Sequence, residues 1–172
     1  MANMIPISTV TVGSGGASNI AFINIPQTYT DLKIVLSTRS SRATVQDTFN
    51  VLFNGSASSY SYRRLYGDGS SGLGSDGSSG DTSLTTAYTQ GGSGTSNTFG
   101  SLELYIPNYT SSTVKSVSSD GVSENNATTS YLGLVASSWS GTIPITTITL
   151  TPTTGGTLSQ YSSATLYGIR KY

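Results

Sequence analysis

Apolar residues recur at alternate positions in short runs along almost the whole chain, and no stretch sustains a 3.6-residue period. Such a chain buries its side chains only by pairing strands. Ile7-Ser8-Thr9-Val10-Thr11-Val12 stops at Gly13-Ser14-Gly15-Gly16, and Ile20-Ala21-Phe22-Ile23-Asn24-Ile25 stops at Pro26. Leu32-Lys33-Ile34-Val35-Leu36-Ser37 is more continuously apolar, as in a strand buried on both faces. Thr48 to Phe53 ends at Asn54-Gly55, a favoured hairpin-turn pair. Tyr60 to Tyr66 places Tyr60, Tyr62, Arg64 and Tyr66 on one face and Ser61, Arg63 and Leu65 on the other. Leu84 to Thr89 is weaker. Phe99 to Ile106 sets Leu102, Leu104 and Ile106 against an outward Glu103. Thr113 to Ser119 then leads to a predicted turn at Asp120-Gly121 and a polar connection at Glu124-Asn125-Asn126. Tyr131 to Ala136 places Leu132, Leu134 and Ala136 on one face. Thr146 to Thr151 and Ser163 to Ile169 complete the pattern.

Residues 67–82 are almost entirely Gly, Ser and Asp. Asp68-Gly69-Ser70-Ser71-Gly72 recurs as Asp76-Gly77-Ser78-Ser79-Gly80, too short a period for a solenoid repeat. The segment is predicted to be a long, flexible, exposed loop. With turn signals at short intervals and no linker elsewhere, residues 1–172 are predicted to form a single-domain antiparallel β-sandwich, jelly-roll-like. Met1 to Pro6 is a candidate N-terminal arm.

Composition excludes much chemistry. Ser, Thr and Gly number 32, 26 and 20 of 172 residues, and charged residues are 9% against a usual share of about 25%. Disordered chains are also rich in small polar residues, but they lack aromatics, and this chain has 11 Tyr and 4 Phe. With no Cys and no His there is no disulfide, no thiol nucleophile and no Ser-His-Asp triad. The usual zinc, copper and haem ligands are missing with them. Eight cations balance eight anions without clustering, which disfavours binding to nucleic acid. No apolar run approaches the ~18 residues of a membrane span. The first cation is Lys33, so the basic region of a signal peptide is lacking.

The remaining candidates are weak as catalysts. Asp68, Asp76 and Asp81 would surround a calcium ion only if the loop folded back, and Asp residues in such loops more often set turns. Glu103 points outward, and Asp120 with Glu124 is predicted to share a loop. Gly13-Ser14-Gly15-Gly16 lacks the Lys and helix of a phosphate loop. No enzyme activity and no cofactor is expected. Tyr60, Tyr62, Arg63, Arg64 and Tyr66 concentrate residue types enriched at protein interfaces, and Trp139 is either a core plug or an interface anchor. These six are the interface candidates.

Three stretches carry a resemblance: Ile25-Pro26-Gln27-Thr28-Tyr29-Thr30-Asp31-Leu32-Lys33-Ile34, Leu102-Glu103-Leu104-Tyr105-Ile106-Pro107-Asn108-Tyr109, and Ser163-Ala164-Thr165-Leu166-Tyr167-Gly168-Ile169-Arg170-Lys171. With Asn54-Gly55 and Trp139 to Pro144, the chain over roughly residues 20–172 resembles small virion structural proteins of tailed phages, notably those of aquatic bacteria and cyanobacteria. The resemblance implies a β-sandwich without enzyme activity. It also implies homotrimers that either decorate the capsid shell or form part of a tail or fibre. The expected location is then the virion, after synthesis in the host cytoplasm. The expected partners are further copies of the chain and the major capsid protein. A tail-fibre module binding host-surface glycan is the alternative, with Tyr60, Tyr62, Tyr66 and Trp139 as stacking platforms.

Overall fold

The structure is a computed structural model that describes residues 3–67, 69, 72–153 and 155–170. Among the described residues there are fourteen strands and no helix. They are β1 (Asn3–Thr11), β2 (Ile20–Phe22), β3 (Asp31–Thr38), β4 (Gln46–Asp47), β5 (Phe49–Phe53), β6 (Tyr60–Gly67) and β7 (Leu73–Asp81). Then follow β8 (Leu84–Thr85), β9 (Thr89–Gln90), β10 (Gly100–Ile106), β11 (Lys115–Glu124), β12 (Ser130–Trp139), β13 (Ile148–Pro152) and β14 (Ser163–Arg170). One sheet has eight strands in the order β1-β14-β3-β10-β11-β12-β6-β7. A second has four, β2-β13-β5-β8, and β4 pairs with β9 separately. The ladders within these sheets are antiparallel.

Alternation assigns the inner face. Leu102, Leu104 and Ile106 of β10 are fully buried and lie opposite Leu36, Ile34 and Leu32 of β3. Outward on the same strands, Lys33 and Glu103 form an ion pair at 2.6 Å. The four-stranded sheet contributes Ile20, Phe22, Val51, Phe53, Ile148 and Leu150 to one continuous core with these residues, as in a β-sandwich. Each large apolar side chain so buried stabilises the fold by about 1.5–3 kcal/mol.

The core ends in an aromatic cluster. Tyr60 and Trp139 are register partners in β6 and β12, with rings stacked at 6.1 Å, and Phe53 meets Trp139 edge-on at 5.6 Å. The Tyr60 hydroxyl accepts from the Phe53 N–H at 2.9 Å and donates to the Ser56 carbonyl at 3.1 Å. Burial pushes the Tyr60 phenol pKa up, against the lowering effect of these bonds.

Several sequence expectations are corrected. Most of the segment expected as a loop over 67–82 is strand: Leu73–Asp81 form β7, paired with β6 from Gly67↔Leu73 to Tyr60↔Asp81. Asp68, Ser70 and Ser71 lie outside the described residues. Gly and Asp are depleted in strands, but here the β6 side chains lie across the glycines. A Cβ at Gly74 would stand 2.4 Å from the Tyr66 ring, and one at Gly77 would stand 2.6 Å from the Arg63 side chain. The β6 residues thus cover glycine backbone, a known way to hold a glycine-rich strand. Asp76 and Asp81 are consequently separated by about 17 Å of extended strand and cannot share one calcium ion. Asp68, the third candidate ligand, is outside the described residues.

The arm expected at residues 1–6 is also replaced. Asn3 to Pro6 belong to β1 and pair with Arg170 to Tyr167 of β14, while Met1 and Ala2 lie outside the described residues. Asn54 and Gly55 do turn the chain, with φ of 53° and 69°, but they connect β5 in one sheet to β6 in the other and not a hairpin. The Asn54 carboxamide locks this corner by accepting from the N–H groups of Thr146 and Thr147 and donating to the Pro144 carbonyl. Finally, Asp120-Gly121 is not a turn. β11 runs straight through it to Glu124, and the reversal comes at 125–129.

Candidate functional site

The six interface candidates divide by face. Tyr60 and Trp139 are 1% and 3% exposed, so burial removes them from any surface. Tyr62, Arg64 and Tyr66 are half-buried on the inner side of β6, and Tyr62 packs on the core. The Arg64 guanidinium sits 5.3 Å from the ring centres of both Tyr66 and Tyr88 and forms an ion pair with Asp76 of β7. Burial works against its charge, but the hydrogen bond and charge of Asp76, together with Tyr88, outweigh it, so Arg64 holds its proton more firmly than a free arginine. Arg63 alone of the six is exposed, on the outer face.

On that outer face lies a surface that the sequence pattern alone did not single out. Leu65 of β6, Leu132 and Leu134 of β12, Val122 of β11 and Leu73 of β7 are 61%, 47%, 53%, 44% and 87% exposed. Register brings them together: Val122 is opposite Leu132, Leu132 opposite Gly67, Gly67 opposite Leu73, and Leu134 opposite Leu65. The side chains of Leu132 and Leu73 flank the bare backbone of Gly67. Between Arg63 and Asp120, over Leu65, Leu134 and Ala136, runs an open groove of about 540 Å³. Monomeric proteins rarely leave contiguous apolar patches of more than a few hundred Å² in water, and larger ones mark interaction sites.

The opposite side of the same strands explains why the leucines face out. Inward positions on β11 and β12 carry Ser119, Gly121, Gly133, Val135 and Ser137. Residues 84–90 pass beneath them, most closely at Gly121. A Cβ at Gly121 would stand 2.2 Å from the Tyr88 carbonyl oxygen. Ser119 accepts from the Ala87 N–H at 2.8 Å, and Ser137 donates to the Thr85 carbonyl at 3.2 Å. Leucines at these inward positions would collide with the crossing segment.

Charge borders the apolar surface on two sides. Arg63 on β6 donates to the carbonyls of Tyr62 and Ser78, and no carboxylate pairs with it among the described residues. Asp120 on β11 lies directly opposite Glu103 of β10, whose carboxylate is taken up by Lys33. Asp120 itself has no cation partner among the described residues.

Asp120 and Glu124 are not a carboxylate pair. They are four residues apart on one extended strand, about 13 Å, beyond the separation glycoside hydrolysis uses. Glu124 instead binds the 91–98 turn. It accepts from the Thr95 N–H and hydroxyl at 2.6 and 2.8 Å, the Thr98 hydroxyl at 3.0 Å and the Asn126 N–H at 2.6 Å. Desolvation acts to raise its pKa, but these hydrogen bonds together hold the carboxyl below its ordinary range. Among the described residues, no three His, Cys, Asp or Glu side chains come together as a metal cage would require.

A second, polar groove of about 470 Å³ lies between Arg42, Gln46, Arg64 and Tyr88. Its floor includes Asp47, which is buried and bound by Arg42 at 3.2 Å, the Thr48 N–H at 2.8 Å and the Thr153 hydroxyl. These bonds tie β4 to the end of β13.

No protein-family model, curated protein or solved structure matches the chain.

Proposed function

We propose that this chain is a non-enzymatic structural protein of a tailed-phage virion, a capsid decoration or cement protein that binds and stabilises the head shell. The resemblance noted from the sequence supports this reading, and the observation that carries it is the exposed apolar outer face. An apolar patch adds nothing to the solubility of a hydroxyl-rich chain of zero net charge, and five large apolar side chains gathered on one sheet are suited to protein contact. The partners in this reading are further copies of the chain, as a homotrimer, and the major capsid protein.

Strand order supports the finer reading of the fold as jelly-roll-like. β1-β14-β3-β10 lies in one sheet and β2-β13-β5-β8 in the other. Followed along the chain, these eight strands alternate between the sheets, apart from the step from β5 to β8 within the second. The hairpins β6–β7 and β11–β12 are then insertions that extend the first sheet beyond β10. The exposed apolar face is built wholly from these insertions.

The mechanism is mass action. A protein that binds the assembled shell and not its dissociated subunits stabilises the shell by its binding free energy. Repetition around the lattice adds avidity. Contacts that are mainly apolar would be little weakened by salt.

The glycan-binding alternative is not favoured, because two of its four stacking platforms, Tyr60 and Trp139, are buried. Quantitative mass spectrometry of purified particles tests the proposal. Copy numbers comparable with the major capsid protein are expected. A few copies per particle would move the protein to the tail, and absence from particles would overturn the reading.

A further inference from the structure

We infer that the exposed face of β6, β7, β11 and β12 is occupied by a second copy of this chain, with Arg63 of one copy against Asp120 of the next. The inference deepens the reading of this face as protein-binding and rests on that reading. It does not depend on where the protein sits in a particle.

Charge complementarity argues for a copy of the chain as the occupant. On the β6 side of the apolar stripe, Arg64 and Asp76 pair on the inner face, and Arg63 stands on the outer face with no carboxylate partner among the described residues. The outer face there carries one unmatched positive charge. On the β11 side, Glu103 and Asp120 face one ammonium, Lys33, which Glu103 takes. That side carries one unmatched negative charge. Like charges directly opposite on neighbouring strands are unfavourable, so Asp120 beside Glu103 gains from a cation supplied from outside. The two charges stand two strands across and two residues along from each other, about 12 Å over the sheet. The face is therefore apolar in the middle, positive on one border and negative on the other, which makes it complementary to itself.

A rotation that brings Arg63 of one copy to Asp120 of another lays Leu65 and Leu134 of the two against each other. With a net charge of zero, the copies approach without general repulsion.

The test is sedimentation velocity on the purified full chain, wild type beside Arg63→Glu, Asp120→Arg and the double variant. Both residues are exposed strand positions, and a circular-dichroism melt of each variant checks that it folds. The wild type is expected to associate at micromolar concentration. Each single reversal is expected to weaken association about tenfold or more, because it sets like charges together. The double variant, in which the pair is reversed between copies, is expected to return to within about threefold of the wild type. Rescue by the double variant is specific to self-association, since a different partner would meet two wrong charges.

A wild type that stays monomeric overturns the inference, and so does a double variant no better than the singles. Particle analysis separates this from the proposed function. Charge rescue with no protein in particles would sink the virion reading and leave this inference standing. Abundant protein in particles with a monomeric chain in solution would do the reverse.

Discussion

The two faces of β12 invert the usual placement of apolar side chains. Its outward positions are Leu132, Leu134 and Ala136, and its inward positions are Gly133, Val135, Ser137 and Trp139. The larger aliphatic side chains are in water, and the inner face is mostly small. On β10, two strands away in the same sheet, the order is normal: Leu102, Leu104 and Ile106 are buried and Glu103 is out. The cause lies in what passes underneath. Beneath β10 the opposing strands leave room for aliphatic side chains. Beneath β11 and β12 residues 84–90 pass close: a Cβ at Gly121 would meet the Tyr88 carbonyl oxygen, and Ser119 and Ser137 hydrogen-bond to the Ala87 N–H and the Thr85 carbonyl. Alternation thus reports two faces, while the neighbouring layer decides which of them is the core.

Substitutions on the β10 side should do the most damage. Leu104→Asp would place an unpaired charge in the core, a loss of several kcal/mol against a typical total of about 5–15, and the variant should not fold. Far-UV circular dichroism of the purified variant checks this. A melt like that of the wild type would show that Leu104 does not face the core. Trp139→Ala removes the ring that joins Phe53 and Tyr60, and should cost about 3–5 kcal/mol in urea denaturation.

A pair of glycine substitutions separates the two faces further. Gly121→Ala drives a methyl group into the Tyr88 carbonyl and should cost about 1–3 kcal/mol. Gly67→Ala meets only ordinary contacts with Leu132 and Leu73 and should stay within about 0.5 kcal/mol of the wild type. Equal losses in urea titrations would mean that the inner face is no tighter than the outer.

Acid should act at the end of β11. The Glu124 pKa is lowered in the folded chain, so the unfolded chain binds that proton more readily. Its contribution is complete at neutral pH and is lost as pH falls from the ordinary carboxylate range through the depressed value. Thermal melts across that range should show a pH slope that Glu124→Gln reduces, together with faster amide exchange at Thr95 and Asn126.

Least stability should be lost at the most exposed leucines. Leu134→Ser should change stability by about 0.5 kcal/mol or less while reducing association in sedimentation velocity. A large drop in melting temperature would place Leu134 in the core after all.

β10 and β14 were legible in the sequence because Leu102, Leu104 and Leu166 are buried where alternation puts them, whereas β3, expected to be buried on both faces, is buried on one and carries Lys33, Val35 and Ser37 on its outer face. β7 was not legible. Leu73–Asp81 has the composition of a loop, and it is a strand only because Tyr66 and Arg63 lie over its glycines, a relation between strands that composition does not show. The outer face was half legible. Tyr60 to Tyr66 drew notice for its aromatics, yet those point inward, and the exposed residue among the candidates there is Arg63, with Leu65 beside it. The signal that was present is in β12: leucines at one parity and Gly133, Val135 and Ser137 at the other. Which parity faces water depends on the chain segment at 84–90, and that is a tertiary fact.

Carbene footprinting of the chain, read residue by residue by mass spectrometry, tests most directly which face of β12 is the core. It would be run first in dilute solution and then at concentrations where the chain associates. Heavy labelling of Leu65, Leu132 and Leu134 is expected in dilute solution, none of Leu104 or Trp139, and protection confined to the outer-face leucines on association. Unlabelled Leu132 and Leu134 in the dilute chain, or labelling unchanged by association, would contradict an outward apolar face that binds a second copy.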